Sequence, residues 1–309
     1  MKELLVGSTG FVGGNLRQAH TFTAECHSVN VKDYYGSQPE CCIYAGVPSA
    51  MFLANTAPEQ DLAIMQAARE NLRKIRPKSV ILISTIAVFG DSRGKDENDI
   101  PEAASAYGAN RYQLENWVRE DHPNVNIIRL PALYGIGLKK NLLFDMHNIV
   151  PAMLTQEKYA SLSEHSSIVQ ESYSLNANGF WVLDKECDFR RLRTWFAASD
   201  FNALSFTDSR SRFQFYSLKS LWNDIQTAIH EKLPLVHFCT PPVSARTVYQ
   251  TVRHCDDWEN HICSKQPFDY DLHSLYAEAF GGCGCYLCSL EEELRDIESF
   301  MKAWEKQEN

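Results

Sequence analysis

Thr85, Tyr107 and Arg111 are the residues of this chain best suited to act together on one polar carbon–oxygen bond. Tyr107 and Arg111 are four apart near the start of a helical stretch, so they share one helix face. Ser84-Thr85 ends the apolar run at residues 80–83, and the carboxyl end of a parallel strand is where ligands sit in open α/β sheets. A hydroxyl, a phenol and a cation around one oxygen can stabilise an alkoxide. The phenol can also pass a proton when the cation lowers its pKa. Taken alone, the Tyr-to-Arg spacing is that of any helix face bearing an aromatic and a basic residue. A second pattern lifts it above that: Gly7-Ser8-Thr9-Gly10-Phe11-Val12-Gly13 lies directly between a short apolar run and a helix start. Glycines there allow a tight turn, a close approach of backbone to a pyrophosphate, and close packing of helix on strand. The phosphate then meets unpaired N–H groups at the positive end of the helix.

The elements that must position these residues follow from periodicity. Leu4-Leu5-Val6 reads as a buried parallel strand, residues 12–19 as a helix and residues 27–31 as the second strand. Residues 41–44 form a short strand ending in Ala45-Gly46. Residues 59–75 form a helix with Leu62, Met65, Ala68, Leu72 and Ile75 in one stripe, stopped by Pro77. Strands at 80–83 and 126–130 flank a helix at 106–120. This alternation predicts an α/β fold with a mostly parallel sheet covered on both faces. Beyond Gly137 the pattern is irregular. Residues 141–154 read as helix, 159–178 mix helix and strand, and 213–229 are helical after their first residues. Residues 235–238 read as strand, and 290–304 as an amphipathic helix.

Four ordered blocks resemble the extended short-chain dehydrogenase/reductase family, in particular its NAD-dependent sugar-nucleotide epimerase/dehydratase branch. They are the glycine loop, Ser84-Thr85-Ile86-Ala87-Val88-Phe89-Gly90, Tyr107-Gly108-Ala109-Asn110-Arg111 with Glu115 beyond, and residues 129–137 from Arg129 to Gly137. The resemblance implies a Rossmann-type sheet with a smaller substrate domain. Its core would span 1–138, completed by parts of 213–250, with 139–212 and 251–309 mainly binding substrate. It implies that Gly7, Thr9, Gly10, Phe11, Val12 and Gly13 hold the cofactor pyrophosphate, and that Ala45 and Gly46 lie near its ribose. Ser84, Pro131 and Leu133 would contact the cofactor, Pro131 and Leu133 along the nicotinamide. Thr85 would hydrogen-bond the substrate oxygen and Tyr107 would be the acid/base. Arg111 departs from the family's lysine: it keeps the positive charge but is longer, planar and never deprotonated. The implied activity is an NAD(P)-dependent oxidoreductase or epimerase acting on a sugar nucleotide or related carbonyl compound. The alternative is a catalytically impaired NAD(P)-binding protein with the same fold. Ile86-Ala87 stands where family dehydratases carry an acidic pair, so dehydration is disfavoured. NAD is the expected cofactor if Asp33 meets the adenosine ribose. Lys32 with Arg17 would instead suit NADP, and the choice stays open.

Composition bounds the rest. The formal charge of −9 argues against a nucleic-acid surface, and no apolar run approaches membrane-span length. With no recognisable secretory leader, the expected location is the cytoplasm and the expected partner a small-molecule substrate, with a homodimer allowed. Lys139, Lys140, Arg190, Arg191 and Arg193 are candidates for a substrate diphosphate. Ten cysteines are too few and too irregular for a disulfide scaffold. Cys283, Cys285 and Cys288 form the one metal-like cluster. Partners from His254, Cys255, His261 or Cys263 lack standard zinc spacing, so no metal is expected.

Overall fold

The computed structural model describes residues 2–255, 258–263 and 266–308; Met1, at the head of the expected core, lies outside them. The chain divides into two compact units. The first comprises Met1–Leu138, Arg212–Val243 and Asp269–Phe300, the second Lys139–Ser211, Ser244–Phe268 and Met301–Asn309.

The first unit is an α/β Rossmann-like fold. Strands β1 (Glu3–Val6), β2 (Ala24–Cys26), β3 (Cys41–Tyr44), β4 (Ser79–Thr85) and β5 (Val125–Leu130) join the Leu235–His237 strand in a six-stranded sheet. The order is β2-β1-β3-β4-β5 and then Leu235–His237, with every pairing parallel. Alternate strand residues feed two cores. Leu4, Val6, Cys42, Tyr44, Val80 and Leu82 pack on one face, with Met65, Ala68, Leu72 and Ile75 of helix α3 (Pro58–Ile75) and Leu114 and Val118 of α4 (Ala106–Asp121). Leu5, Ile43, Ile81 and Ile128 pack on the other, with Leu16 of α1 (Phe11–Ala19) and with Leu221 and Ile225 of the Leu221–His230 helix. Burial on both faces is why the strands read as apolar runs rather than alternating ones.

Two expected elements differ. The second strand is Ala24–Cys26, not 27–31. Its pairing ends at Val6↔Cys26, and Asn30 then folds back, its Oδ1 accepting from His27 N at 2.9 Å. Such an asparagine turn competes directly with strand extension, and a 3₁₀ turn follows at Val31–Tyr34. The helix expected over 141–154 is only Leu142–His147. Asn148 Oδ1 accepts from Val150 N at 3.3 Å, Pro151 follows, and the chain leaves as a strand at Met153–Leu154.

In the second unit that strand joins Tyr173–Leu175 and Trp181–Leu183 in a small antiparallel sheet. Val150, Leu154, Val169, Tyr173, Leu192 and Phe196 form its core. Among the described residues no helix is long and apolar enough to cross a membrane.

A buried polar network locks the first unit. Glu115 of α4 and Arg129 of β5 are 0% and 1% exposed and pair through two hydrogen bonds, of 3.0 and 2.7 Å. Ser84 Oγ donates to Glu115 at 2.6 Å and Arg119 approaches it at 3.2 Å. Arg129 Nη1 lies 3.1 Å from His237 Nε2, and His237 Nδ1 lies 2.9 Å from His273 O. The guanidinium cannot accept, so His237 is neutral, donating from Nδ1 and accepting at Nε2. Burial, then the Arg129 charge, pushes its pKa down to about 3.

Breaking this network from one side strands a buried charge. Arg129→Met should lower unfolding free energy by about 3–5 kcal/mol, and Arg129→Met with Glu115→Leu should recover most of it in urea unfolding. His237 supplies a pH signature. Its folded pKa is depressed, so its contribution is complete above the unfolded value and is lost as pH falls from about 6.5 towards 3. Wild type should therefore lose stability relative to His237→Gln across that window, at up to about 1.4 kcal/mol per pH unit.

Candidate active site

The glycine loop leaves β1 at its carboxyl end. The chain proceeds from β1 to β2 on one side and to β3 on the other, so this is the sheet's topological switch point, where a ligand crevice forms. Gly7 sits at φ +94°, and its N–H and that of Ser8 donate to Cys26 O at 2.8 and 3.1 Å. A Cβ on Gly7 would fall 2.5 Å from Ala45 O, so Ala45-Gly46 abuts the loop. A Cβ on Gly13 would fall 2.1 Å from Gly7 O, which is how closely α1 approaches the turn. Gly10 is the N-cap of α1. No side chain caps the helix and no acid sits in its first turn. Thr9 is exposed at the tip, and Phe11 and Val12 are partly buried in the first turn. An uncapped helix start behind a loop with glycine at positions 7 and 10 fits a diphosphate.

Asn15 fixes this helix to the segment after Tyr134. It donates to Phe11 O at 2.8 Å and to Ile136 O at 2.9 Å, and accepts from Ile136 N at 3.0 Å. Sequence reasoning missed Asn15; its signal is a polar residue on the buried face of an otherwise apolar helix.

At the same sheet edge β4 delivers Ser84 and Thr85 to opposite faces. Ser84 turns its hydroxyl to Glu115. Thr85 Oγ1 accepts from Ala87 N at 3.2 Å, starting the turn Ile86–Val88. Helix α4 presses onto that turn, since a Cβ on Gly108 would lie 1.9 Å from Ala87 O. Ser105 caps α4, and Asn55 of α2 (Met51–Thr56) accepts from Tyr107 N at 3.0 Å.

These contacts bring Thr85, Tyr107 and Arg111 together. The Thr85 hydroxyl and the Arg111 guanidinium both act electrostatically on the Tyr107 phenol, and the Arg111 guanidinium carbon lies 3.7 Å from the Tyr107 ring centre. Arg111 is 4% exposed. Its Nη1 donates to Asp61 at 2.5 Å and to Tyr107 O at 3.2 Å, and its Nη2 to Pro48 O at 2.7 Å, leaving Nε without a partner. Burial raises the Tyr107 pKa above its ordinary value. The Arg111 charge pulls it down, Asp61 raises it again, and Thr85 lowers it. The cation expected to depress the phenol is present, but burial outweighs it. Asp61 was not foreseen: its partner lies 50 residues away and no spacing marks it.

Other expected residues are placed as follows. Asp33 and Lys32 are exposed in the 3₁₀ turn beyond β2, while Arg17 pairs with Glu25 at 2.5 Å. Pro131 follows β5, and Leu133 pairs in register with Tyr216. Arg190, Arg191 and Arg193 are exposed on the Phe189–Ala197 helix of the second unit; Lys140, elsewhere in that unit, is exposed, and partial desolvation of its ammonium lowers its pKa. All ten cysteines are free thiols. Among the described residues no three His, Cys, Asp or Glu side chains gather as metal ligands.

The family profile described as the RmlD substrate binding domain matches residues 1–157. No curated protein matches by sequence. Among solved structures, the chain is similar to a dTDP-4-dehydrorhamnose reductase from Clostridium acetobutylicum. It is 15% identical, with a TM-score of 0.64 over 99% of this chain and 100% of that one. A dTDP-4-dehydrorhamnose reductase from Bacillus anthracis, solved in complex with NADP, gives 15% identity and a TM-score of 0.62 over 98% and 99%. A UDP-N-acetylglucosamine 4-epimerase from Bacillus cereus gives 11% and 0.60 over 99% and 100%.

The two adjacent glycines of α1 make a controlled pair. Gly13→Ala should cost about 1–3 kcal/mol in denaturant unfolding because its methyl collides with backbone. Gly14→Ala, whose Cβ meets nothing within 4 Å, should be neutral or stabilising by up to about 1 kcal/mol.

Proposed function

The chain belongs to the RmlD substrate binding domain family, and from that premise we propose that it is an NAD(P)-dependent oxidoreductase reducing a keto group of a sugar nucleotide. The observation that carries this is the grouping of Thr85, Tyr107 and Arg111 at the same sheet edge as the bare start of α1. The dinucleotide would lie with its diphosphate on Gly7, Gly10 and Gly13, its ribose near Ala45-Gly46 and its nicotinamide along Pro131 and Leu133. When bound, it supplies the hydride.

The protein's own residues handle the oxygen. Thr85 donates a hydrogen bond to the substrate carbonyl, polarising it. Tyr107 passes its phenolic proton to that oxygen as the carbon gains hydride, and solvent restores the proton. Three of the five Arg111 N–H groups already serve Asp61, Tyr107 O and Pro48 O, so Arg111 is less free than the family's lysine to reach a ribose hydroxyl. Burial keeps water from competing at Tyr107, which is 7% exposed. Ile86 and Ala87 offer no acid/base pair for dehydration, whereas 4-epimerisation needs only Tyr107 and a placed hydride.

A second reading, a dinucleotide-binding protein without turnover, draws on the same engaged Arg111. Both are tested by following NADH and NADPH consumption with dTDP- and UDP-4-keto-sugars. Saturable oxidation is expected with at least one pair. Tyr107→Phe should slow it by roughly 10²–10⁴-fold while leaving dinucleotide affinity in place. Tight cofactor binding with no oxidation across the panel would favour the second reading, and no binding of either dinucleotide would sink both.

A further inference from the structure

Asp61 lies in the first turn of α3 and is 7% exposed. Its Oδ2 accepts from Arg111 Nη1 at 2.5 Å and from Asn110 Nδ2 at 2.9 Å. With Pro48 O on its second terminal nitrogen, the guanidinium is held from several sides against the Tyr107 ring. A lone cation at that range would draw a proton off a phenol, but a cation closely paired with a carboxylate in a dry site presents a dipole, whose field falls off much faster.

We propose that Asp61 is a positioning residue that clamps Arg111 on the Tyr107 ring and offsets its charge, keeping Tyr107 in the protonated, donor form that carbonyl reduction requires. This rests on the reading of Tyr107 as the acid/base. In that step the carbonyl carbon gains a hydride from the reduced nicotinamide and the oxygen gains the Tyr107 proton. The tyrosinate left behind recovers a proton from solvent. The charged groups acting on the phenol are Arg111 from its own helix and Asp61 from α3; β4 offers the Thr85 hydroxyl and α2 the neutral amide of Asn55. Their separate directions agree, with Arg111 lowering the phenol's pKa and Asp61 raising it.

The test places 3-fluorotyrosine at position 107 of the full chain and follows its ionisation by fluorine NMR, without cofactor or substrate. Asp61→Asn should move the titration down by roughly one unit or more, and Arg111→Gln should move it up. Asp61→Asn with Arg111→Gln should return it to within roughly half a unit of wild type. A residue that merely supports the fold would not shift the phenol in opposite directions. If Asp61→Asn titrates at or above wild type, or the double variant follows Arg111→Gln, the clamp is overturned. Where a single variant fails to fold, as a buried charge stripped of its partner can, the double variant decides by the same criterion. The titration does not depend on turnover. Failure to oxidise NAD(P)H would therefore count against the proposed activity and leave this result standing.

Discussion

The pairing of Glu115 with Arg129 is the constraint on which the first unit's active edge depends. Two full charges at 0% and 1% exposure persist only because each is met by the other at good geometry. That demand fixes α4 against β5, and through Ser84 and His237 it fixes β4 and the Leu235–His237 strand as well. Apolar packing on the two faces of the sheet tolerates small slides of a helix along a strand. A bidentate guanidinium–carboxylate pair does not. The network thus specifies the register in which α4 must lie.

From that anchor the site follows by helix geometry. Tyr107 is about two turns before Glu115, and between them α4 is pressed onto the Ile86–Val88 turn at Gly108. Held at these two points, α4 has little freedom to move Tyr107 away from Thr85. Asn55 fixes the third side by accepting from Tyr107 N. Arg111, one turn further on, then meets α3 rather than open space, and Asp61 is what it meets.

Much of this was legible in the chain. Apolar runs of a length suited to doubly covered strands, the α3 stripe and the glycine spacing all report local demands, and local demands leave local patterns. Parallel pairing of β1 with β3 and of β4 with β5 follows from their alternation with helices. The residues that escaped notice are those whose reason lies elsewhere in the chain. Asp61 and Asn15 look like ordinary helix polar residues until Arg111 and Ile136 are brought to them. The second strand was misplaced because one asparagine side chain outcompeted a plausible β run at residues 27–31. Without that turn Asp33 would fall at the strand tip; with it, Asp33 lies exposed in a 3₁₀ turn. The short Leu142–His147 helix was overestimated because Asn148 and Pro151 end it by turn chemistry that an apolar count does not weigh.

The bare amino end of α1 also bears on how much folded protein a cell would hold. With Gly10 at the N-cap in place of a capping side chain, the helix gives up roughly a few tenths of a kcal/mol of intrinsic stability. Whatever anion settles there binds the native chain alone and draws the folding equilibrium with it. A ligand at a hundred times its Kd adds about 2.7 kcal/mol, comparable to a substantial core mutation. Degradation tracks the opened population, so the steady-state level of this chain would rise and fall with the pool of its own ligand. With such an anion bound, the loop would make protein lifetime a readout of metabolite supply.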